Sequence, residues 1–353
     1  MNIYFVLVLF ITFFLIIRSS DRTINEVKLV LSFVLLFIYA SIRANGLDYI
    51  PYEDAYYEIQ NFYGTIGFES RMEKGYVLLN YIMPSYRLLL VALSGLTCFT
   101  YYKLFIRYIP SHYYWLGFIL LALSSDKMFF FQISGLRNAI AINMMTLSIP
   151  FIIERKIKPY ICLTILAYFF HNSVLFFMPL AYFVATPFNF KMRNMFIWGS
   201  VFVFFIAVSS TSLIDYATSF ISTYFERYSD YAEIAEESVY QRSILMYGFV
   251  LAVVSLSFKL LINFELTPTE NVLMKLSLLF FISLVLGSLN FRMSQYFAPY
   301  LIAGCFVFLN RFKNPFMKYG YVAVLCLFLW YSLFIVYMGS PESTYYDYKT
   351  ILG

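Results

Sequence analysis

Four polar side chains stand where the sequence is otherwise hydrocarbon: Arg137, His171, Arg242 and Arg292. Arg137 lies in Ser134-Gly135-Leu136-Arg137-Asn138-Ala139-Ile140-Ala141, at the head of an apolar run that reaches Ile153. A guanidinium held in hydrocarbon costs roughly 2.5–3.5 kcal/mol at a helix centre, and less near its end, unless it has a partner or lines a wet cavity. Arg242 follows Val239-Tyr240-Gln241 at the start of another run, and Arg292 lies in Leu289-Asn290-Phe291-Arg292-Met293 between two more. Arginine forks match phosphate oxygens bidentately and stay charged. Three of them together could neutralise a pyrophosphate; taken singly, each is an interfacial anchor whose head snorkels to water. His171, inside Phe170-His171-Asn172-Ser173, is either a hydrogen-bonded core histidine or a base near a cavity, since neutral imidazole suits proton removal. The other histidine, His112, follows Pro110-Ser111 and reads as an interfacial surface group.

A second set of polar residues precedes them. Asp48-Tyr49-Ile50-Pro51-Tyr52-Glu53-Asp54-Ala55-Tyr56-Tyr57 leads on to Glu69-Ser70-Arg71-Met72-Glu73-Lys74-Gly75-Tyr76. Carboxylates accept hydrogen bonds from sugar hydroxyls, and aromatic faces pack on apolar C–H patches. The competing reading is a solvated acidic loop with an interfacial tyrosine belt. With 41 Phe and 33 Tyr in the chain, aromatic clusters also arise by chance. Tyr224-Phe225-Glu226-Arg227-Tyr228-Ser229-Asp230-Tyr231 carries the same ambiguity. No His/Cys pair has metal-ligand spacing. No Gly-rich phosphate loop, nucleophile elbow or nucleotide-binding pattern appears, so neither a metal, a cofactor nor a cytosolic nucleotide donor is expected.

Helices must position these groups. The 353 residues are 61% hydrophobic and 13% charged, with a mean hydropathy of +0.72. That excludes a soluble globular chain and a nucleic-acid binder, and predicts an all-α polytopic membrane protein of about 10–12 transmembrane helices. One integral membrane domain is expected over 1–353. Spans are expected near 2–17, 27–42, 86–106, 113–125, 135–153, 194–213, 243–262, 272–289, 294–310 and 316–338. Met1-Asn2-Ile3-Tyr4 has no basic n-region, so the first run is expected to be a retained span. The four cysteines sit in apolar runs and are expected to be small core residues.

Charge sets the sidedness. The loops holding Arg18, Arg22, Lys28, Lys103, Arg107, Arg155, Lys156, Lys158, Lys191, Arg193, Lys259, Lys275, Arg311, Lys313 and Lys318 carry only five acidic residues. By the positive-inside rule they are cytoplasmic. Segments 43–85, 124–134, 214–242, 290–293 and the C-terminal tail are then extracytoplasmic. One run conflicts with a simple count, because 159–185 is flanked on both sides by basic residues. The chain is therefore expected to climb to about residue 170, break at His171-Asn172-Ser173 and return. Such breaks are tolerated only where they line a protein cavity or water. A shorter piece from Tyr76 to Met83, ended by Pro84, is expected to lie in the interface or re-enter from outside.

Asp48 with its tyrosines, Glu73-Lys74-Gly75-Tyr76, Gly135-Leu136-Arg137-Asn138-Ala139-Ile140-Ala141 and Phe170-His171-Asn172-Ser173 resemble, in order and spacing, the EpsG-like family. These are Wzy-type polymerases of bacterial O-antigen, capsule or exopolysaccharide. The resemblance covers roughly residues 40–300; Asn138 stands where Gln is as frequent. It implies a GT-C-like glycosyltransferase architecture with broken or re-entrant helices, in the bacterial cytoplasmic (inner) membrane, active on its periplasmic or outer side. It also implies metal-independent, inverting transfer of an undecaprenyl-pyrophosphate-linked glycan onto a lipid-linked repeat unit. On that reading Arg137, Arg242 and Arg292 bind the pyrophosphate, and His171, Glu73 and Asp54 are the candidate bases. Asp48, Tyr49, Arg71, Tyr76 and Asn172 are candidate substrate contacts. Membrane lipid, a chain-length regulator and a flippase are the implied partners.

Two other functions share this logic. A ligase differs from a polymerase only in its acceptor. A lipid-linked oligosaccharide flippase also needs buried arginines, but along a path that reaches both faces. A secondary transporter would show inverted repeats, and none is evident.

Overall fold

The computed structural model describes residues 3–17, 19–44, 46, 48–65, 69–70, 72–123, 128–185, 266–285, 291–316 and 318–323. The regular elements among these residues are all helices, with no β-strand. The chain divides into two compact units, one formed by Met1–Pro179 with Phe312–Gly353 and the other by Leu180–Arg311.

In the first unit, α1 (Ile3–Ile16) is joined by a tight turn to α2 (Arg22–Ser41). Asp21 caps α2 by accepting from the Thr23 N–H, and Asn25 and Ser19 bond each other across the turn. Along α2, Asn25, Leu29, Ser32, Phe33, Leu36 and Ala40 are buried, while Val27, Leu31, Val34 and Ile38 are exposed. This helical alternation, apolar on both faces, is what a span facing protein on one side and lipid on the other requires. α5 (Tyr86–Tyr108) packs on α2, and α8 (Leu136–Leu147) packs on α5, with the Asn143 amide donating to the Thr97 hydroxyl at 2.9 Å. α8 runs on through Ser148 into α9 (Ile149–Ile153). Arg22–Ser41, Tyr86–Tyr108 and Leu136–Ile153 are long and apolar enough to cross a membrane.

Shorter helices fill the remainder. α3 (Tyr49–Phe62) and α4 (Lys74–Ile82) pack together ahead of α5. The run expected to span at 113–125 is described only as the ten residues of α6 (Tyr114–Leu123), against α1. Part of the segment expected to be extracytoplasmic at 124–134 is α7 (Phe129–Ser134), with Phe129, Gln132 and Ile133 buried. A bond of 2.5 Å from the Gln132 amide to the Tyr101 hydroxyl draws that segment into the bundle, which its polar ends concealed.

The run 159–185 breaks where its charges require. α10 (Ile157–Tyr168) ends, residues 169–173 turn, and α11 (Val174–Ala185) begins. The Tyr160 hydroxyl, near the start of α10, donates to the Met178 carbonyl of α11 at 2.6 Å, so the two helices lie side by side as a hairpin. Each has 12 residues, about 18 Å of helix, against a hydrocarbon core of about 30 Å. Cysteines placed at Lys158 and at Lys191 are therefore expected to react with an impermeant thiol reagent from the same side; labelling from opposite sides would overturn the hairpin. Lys191 itself is outside the described residues.

In the second unit, α12 (Pro268–Val285) packs on α13 (Phe291–Arg311). They meet closely at Gly304, where a Cβ would lie 2.6 Å from Ser277 Cβ. At one end, Arg311 Nε donates to Glu270 at 2.9 Å. Of the cysteines, Cys98 and Cys305 are buried as expected, whereas Cys162 is exposed on α10.

Candidate active site at one end of the helical bundle

Four chain segments meet at the end of the first unit where α5 and α8 begin and α10 stops. Gly135 interrupts the helix between α7 and α8 and leaves Arg137 in the first turn of α8. A cation there faces the positive end of the helix dipole, so it needs a compensating anion. Glu73 supplies it, with Arg137 Nη1 donating to Glu73 Oε2 at 2.6 Å. The other carboxylate oxygen, Oε1, lies 3.2 Å from His171 Nδ1, in the break between α10 and α11. Arg137 Nε makes a longer contact, 3.5 Å, to the Tyr52 hydroxyl of α3.

Backbone contacts fix this arrangement. Glu73 immediately precedes α4, and the next but one residue, Gly75, donates its N–H to the Phe169 carbonyl at 2.8 Å. That bond satisfies a carbonyl left open where α10 stops. A Cβ on Gly75 would fall 2.7 Å from the same oxygen and 2.8 Å from Phe169 Cβ, so only glycine allows α4 to dock here. Gly75→Ala is therefore expected to cost about 1–3 kcal/mol of stability and to separate Glu73 from His171. Gly95→Ala on α5, whose Cβ would find Phe37 at an ordinary 3.5 Å, should be tolerated. Thermal unfolding of the two purified variants checks this; equal stabilities would contradict it.

Beneath the polar chain lies a floor of tyrosines. Tyr52, Tyr56, Tyr76 and Tyr86 pack with Leu89, Leu136 and Ile140. Tyr52 meets Tyr76 edge to face at 5.6 Å, and Tyr49 meets Tyr86 at 5.3 Å. The Tyr86 hydroxyl donates to the Tyr49 carbonyl at 3.1 Å and that of Tyr56 to the Met83 carbonyl at 2.7 Å. The Gln60 amide donates to the Asn80 carbonyl at 2.7 Å, closing the end of α4.

Electrostatics assigns the protons. Burial by itself would raise the Glu73 carboxyl; the hydrogen bond from His171 and the Arg137 charge outweigh it and bring it down to about 2. A carboxylate ionised at neutral pH only accepts hydrogen bonds, so His171 Nδ1 is the donor to Glu73 Oε1. The side chains of Glu73 and His171 are 8% and 10% exposed, that of Arg137 27%. The carboxylate is thus enclosed, and the guanidinium opens outward with N–H groups beyond the one given to Glu73.

The structure thus joins Glu73, Arg137 and His171, 64 and 98 residues apart in sequence from Glu73. It does not bring Asp54 to them. Asp54 is exposed on α3, two residues or about 200° round the helix from Tyr52, on the face turned away from Arg137. Tyr76 is fully buried and serves the packing under Tyr52, because its face has no open side for a ligand. Tyr49 packs on Tyr86, Asp48 precedes α3 as its cap residue, and Asn172 is exposed in the α10–α11 turn. Arg71 and Arg242 lie outside the described residues, as does the side chain of Arg292, whose backbone sits in the first turn of α13. Among the described residues no group of three potential metal ligands occurs.

Three residues outside the candidate site set also contribute. Tyr52 was visible as one of Tyr52, Tyr56 and Ile59, an i, i+4, i+7 stripe that marks α3 as a helix with one buried face. Arg87 donates to the Ser41 carbonyl at 3.1 Å and the Arg43 carbonyl at 2.5 Å, and Arg43 donates to the Ala40 carbonyl at 3.3 Å. Together they cap the end of α2 beside the site, a role only tertiary contact reveals.

No curated protein and no solved structure matches the chain significantly. A family model does, over residues 26–350, a range that takes in every element of the Glu73–Arg137–His171 site, and the chain belongs to the EpsG family.

Proposed function

We propose that the chain is a polysaccharide polymerase that lengthens a lipid-linked glycan at the extracytoplasmic face of a bacterial cytoplasmic membrane. Family membership supports a polymerase-like, glycosyltransferase-like role in a membrane. The observation that carries the finer reading is the bridge from Arg137 through Glu73 to His171. One carboxylate holds a phosphate-binding fork at one oxygen and orients an imidazole at the other. An acid-anhydride leaving group and a hydroxyl nucleophile need those two groups a few ångströms apart.

The bridge supports the following reaction. The donor is a glycan joined through its anomeric carbon to undecaprenyl diphosphate. The acceptor hydroxyl gives its proton to His171 Nε2 as its oxygen attacks the anomeric carbon. The anomeric carbon–oxygen bond to the diphosphate breaks, and undecaprenyl diphosphate leaves with its added charge held by the outward N–H groups of Arg137. A single displacement inverts the configuration. Glu73 keeps the imidazole in the tautomer and orientation that accept a proton, as a carboxylate does in hydrolytic triads. The sidedness rests on the positive-inside rule, which counts Lys and Arg: Arg107, Lys156, and Arg22 and Lys28 of α2 lie at the far end of α5 and α9 from Arg137.

Deletion in the host tests this against its neighbours. Loss of a polymerase leaves single repeat units on the carrier outside the membrane and on their final acceptor. Loss of a ligase would leave long chains on the carrier, and loss of a flippase would leave single units inside. Either of the latter two accumulations would refute the polymerase reading.

A further inference from the structure

The helix that begins beside Glu73 has a second face. α4 turns Tyr76, Val77 and Asn80 into the protein. On the opposite side Lys74, Leu78, Tyr81 and Ile82 are exposed, the last three at 51%, 47% and 61%. Lys74, Leu78 and Tyr81 stand at i, i+4 and i+7, so they form one stripe about 10 Å long. The stripe starts with a cation one residue after Glu73 and becomes apolar as it leaves the site. Tyr63 extends it, its ring tilted against that of Tyr81 with centroids 4.5 Å apart. At the site end, the close approach of Gly75 brings Phe169 beside it, exposed and continuous with the outward apolar residues Ile165 and Leu166 of α10.

We propose that this stripe seats the lipid carrier of the donor, with its diphosphate at Lys74 and the first isoprene units along Leu78, Tyr81 and Ile82. The proposal rests on the lipid-linked donor of the preceding reading. Charge complementarity selects this occupant over bulk lipid. In a bilayer, apolar contact with Leu78 offers a polyprenyl chain little that the surrounding acyl chains lack. Preference must therefore come from the head: an exposed ammonium one residue from Glu73, whose carboxylate pairs with Arg137, adds a second cation at this end and suits a diphosphate better than a single phosphodiester. Continuity with α10 gives the carrier a lateral way in from the hydrocarbon, so its head arrives at Arg137 without crossing the bundle.

Photo-crosslinking in the full-length protein tests the seat without requiring turnover. A benzophenone amino acid is placed at Leu78, at Tyr81, or at Phe13, which is exposed on α1. The protein is reconstituted into phosphatidylethanolamine–phosphatidylglycerol vesicles holding trace tritiated undecaprenyl diphosphate. Positions 78 and 81 are expected to capture label several-fold above position 13, with excess undecaprenyl diphosphate competing and undecaprenol not. Lys74→Gln should cut capture about tenfold, the loss of one charge-assisted phosphate contact. Equal capture at all three positions, equal competition by undecaprenol, or an unchanged Lys74→Gln protein would each overturn the seat. If wild type polymerises while positions 78 and 81 capture nothing, the seat alone is wrong. If capture is head-dependent but no polymer forms, the seat stands and the polymerase reading falls.

Discussion

Arg137→Lys is expected to lower polymer formation by about 10²–10³, the usual effect of removing one contact made to charge developing in the transition state. Lysine keeps the charge and can still pair with Glu73, so the protein should insert and fold. What it loses is the planar fork that serves Glu73 and a phosphate together. The purified variant, assayed on lipid-linked repeat units, should show the fall in kcat with thermal stability close to wild type. Arg137→Gln should be worse in both respects, since it leaves the Glu73 carboxylate enclosed without its cation, and breaking such a pair costs up to about 3–5 kcal/mol when it is fully buried. Near wild-type polymer from Arg137→Lys would reduce the residue to a positional anchor.

His171→Ala is expected to reduce kcat by about 10²–10⁴, the range for a positioned proton acceptor. Glu73→Gln should approach the same loss, because an amide neither fixes the tautomer of the ring nor balances Arg137. If the two act as one unit, the double variant is no slower than His171→Ala alone. A stability measurement separates the roles further. Folding depresses the Glu73 carboxyl from the ordinary 4.5 to about 2, so its contribution is fully present above 4.5 and is lost as pH falls through 2. The difference in unfolding temperature between wild type and Glu73→Gln should therefore persist from pH 7 to pH 5 and narrow towards pH 2. Losses that multiply in the double variant, or a difference that widens on acidification, would contradict a shared carboxylate.

The hairpin of α10 and α11 was legible because two basic flanks cannot both face the cytoplasm across one span, and because Phe170-His171-Asn172-Ser173 offers a polar break. Arg137 was legible for a similar reason, as a charge with no cheap place in hydrocarbon. Its partner was another matter. Glu73 was read as a candidate base, and nothing local reveals that it bridges residues 64 and 98 positions away. A carboxylate so paired is held ionised, which favours an orienting role over proton transfer. Asp54 and Tyr76 show the limit of composition: both belong to the carboxylate–tyrosine pattern, yet helix phase sends Asp54 outward and Tyr76 into the core. The helix at 129–134 is not legible in the sequence, because burial of Gln132 depends on a hydroxyl from α5. Arg242 and Arg292 were expected beside Arg137 on membrane depth alone; the described residues carry that idea no further.

The most direct measurement counts products. Purified wild-type protein in vesicles, given only lipid-linked repeat units, should release one undecaprenyl diphosphate for each repeat added to the growing chain. That release should vanish together with polymer in His171→Ala. Repeat units that change leaflet with no undecaprenyl diphosphate released, or polymer made equally well by His171→Ala, would contradict the assignment of glycosyl transfer to the Arg137–Glu73–His171 site.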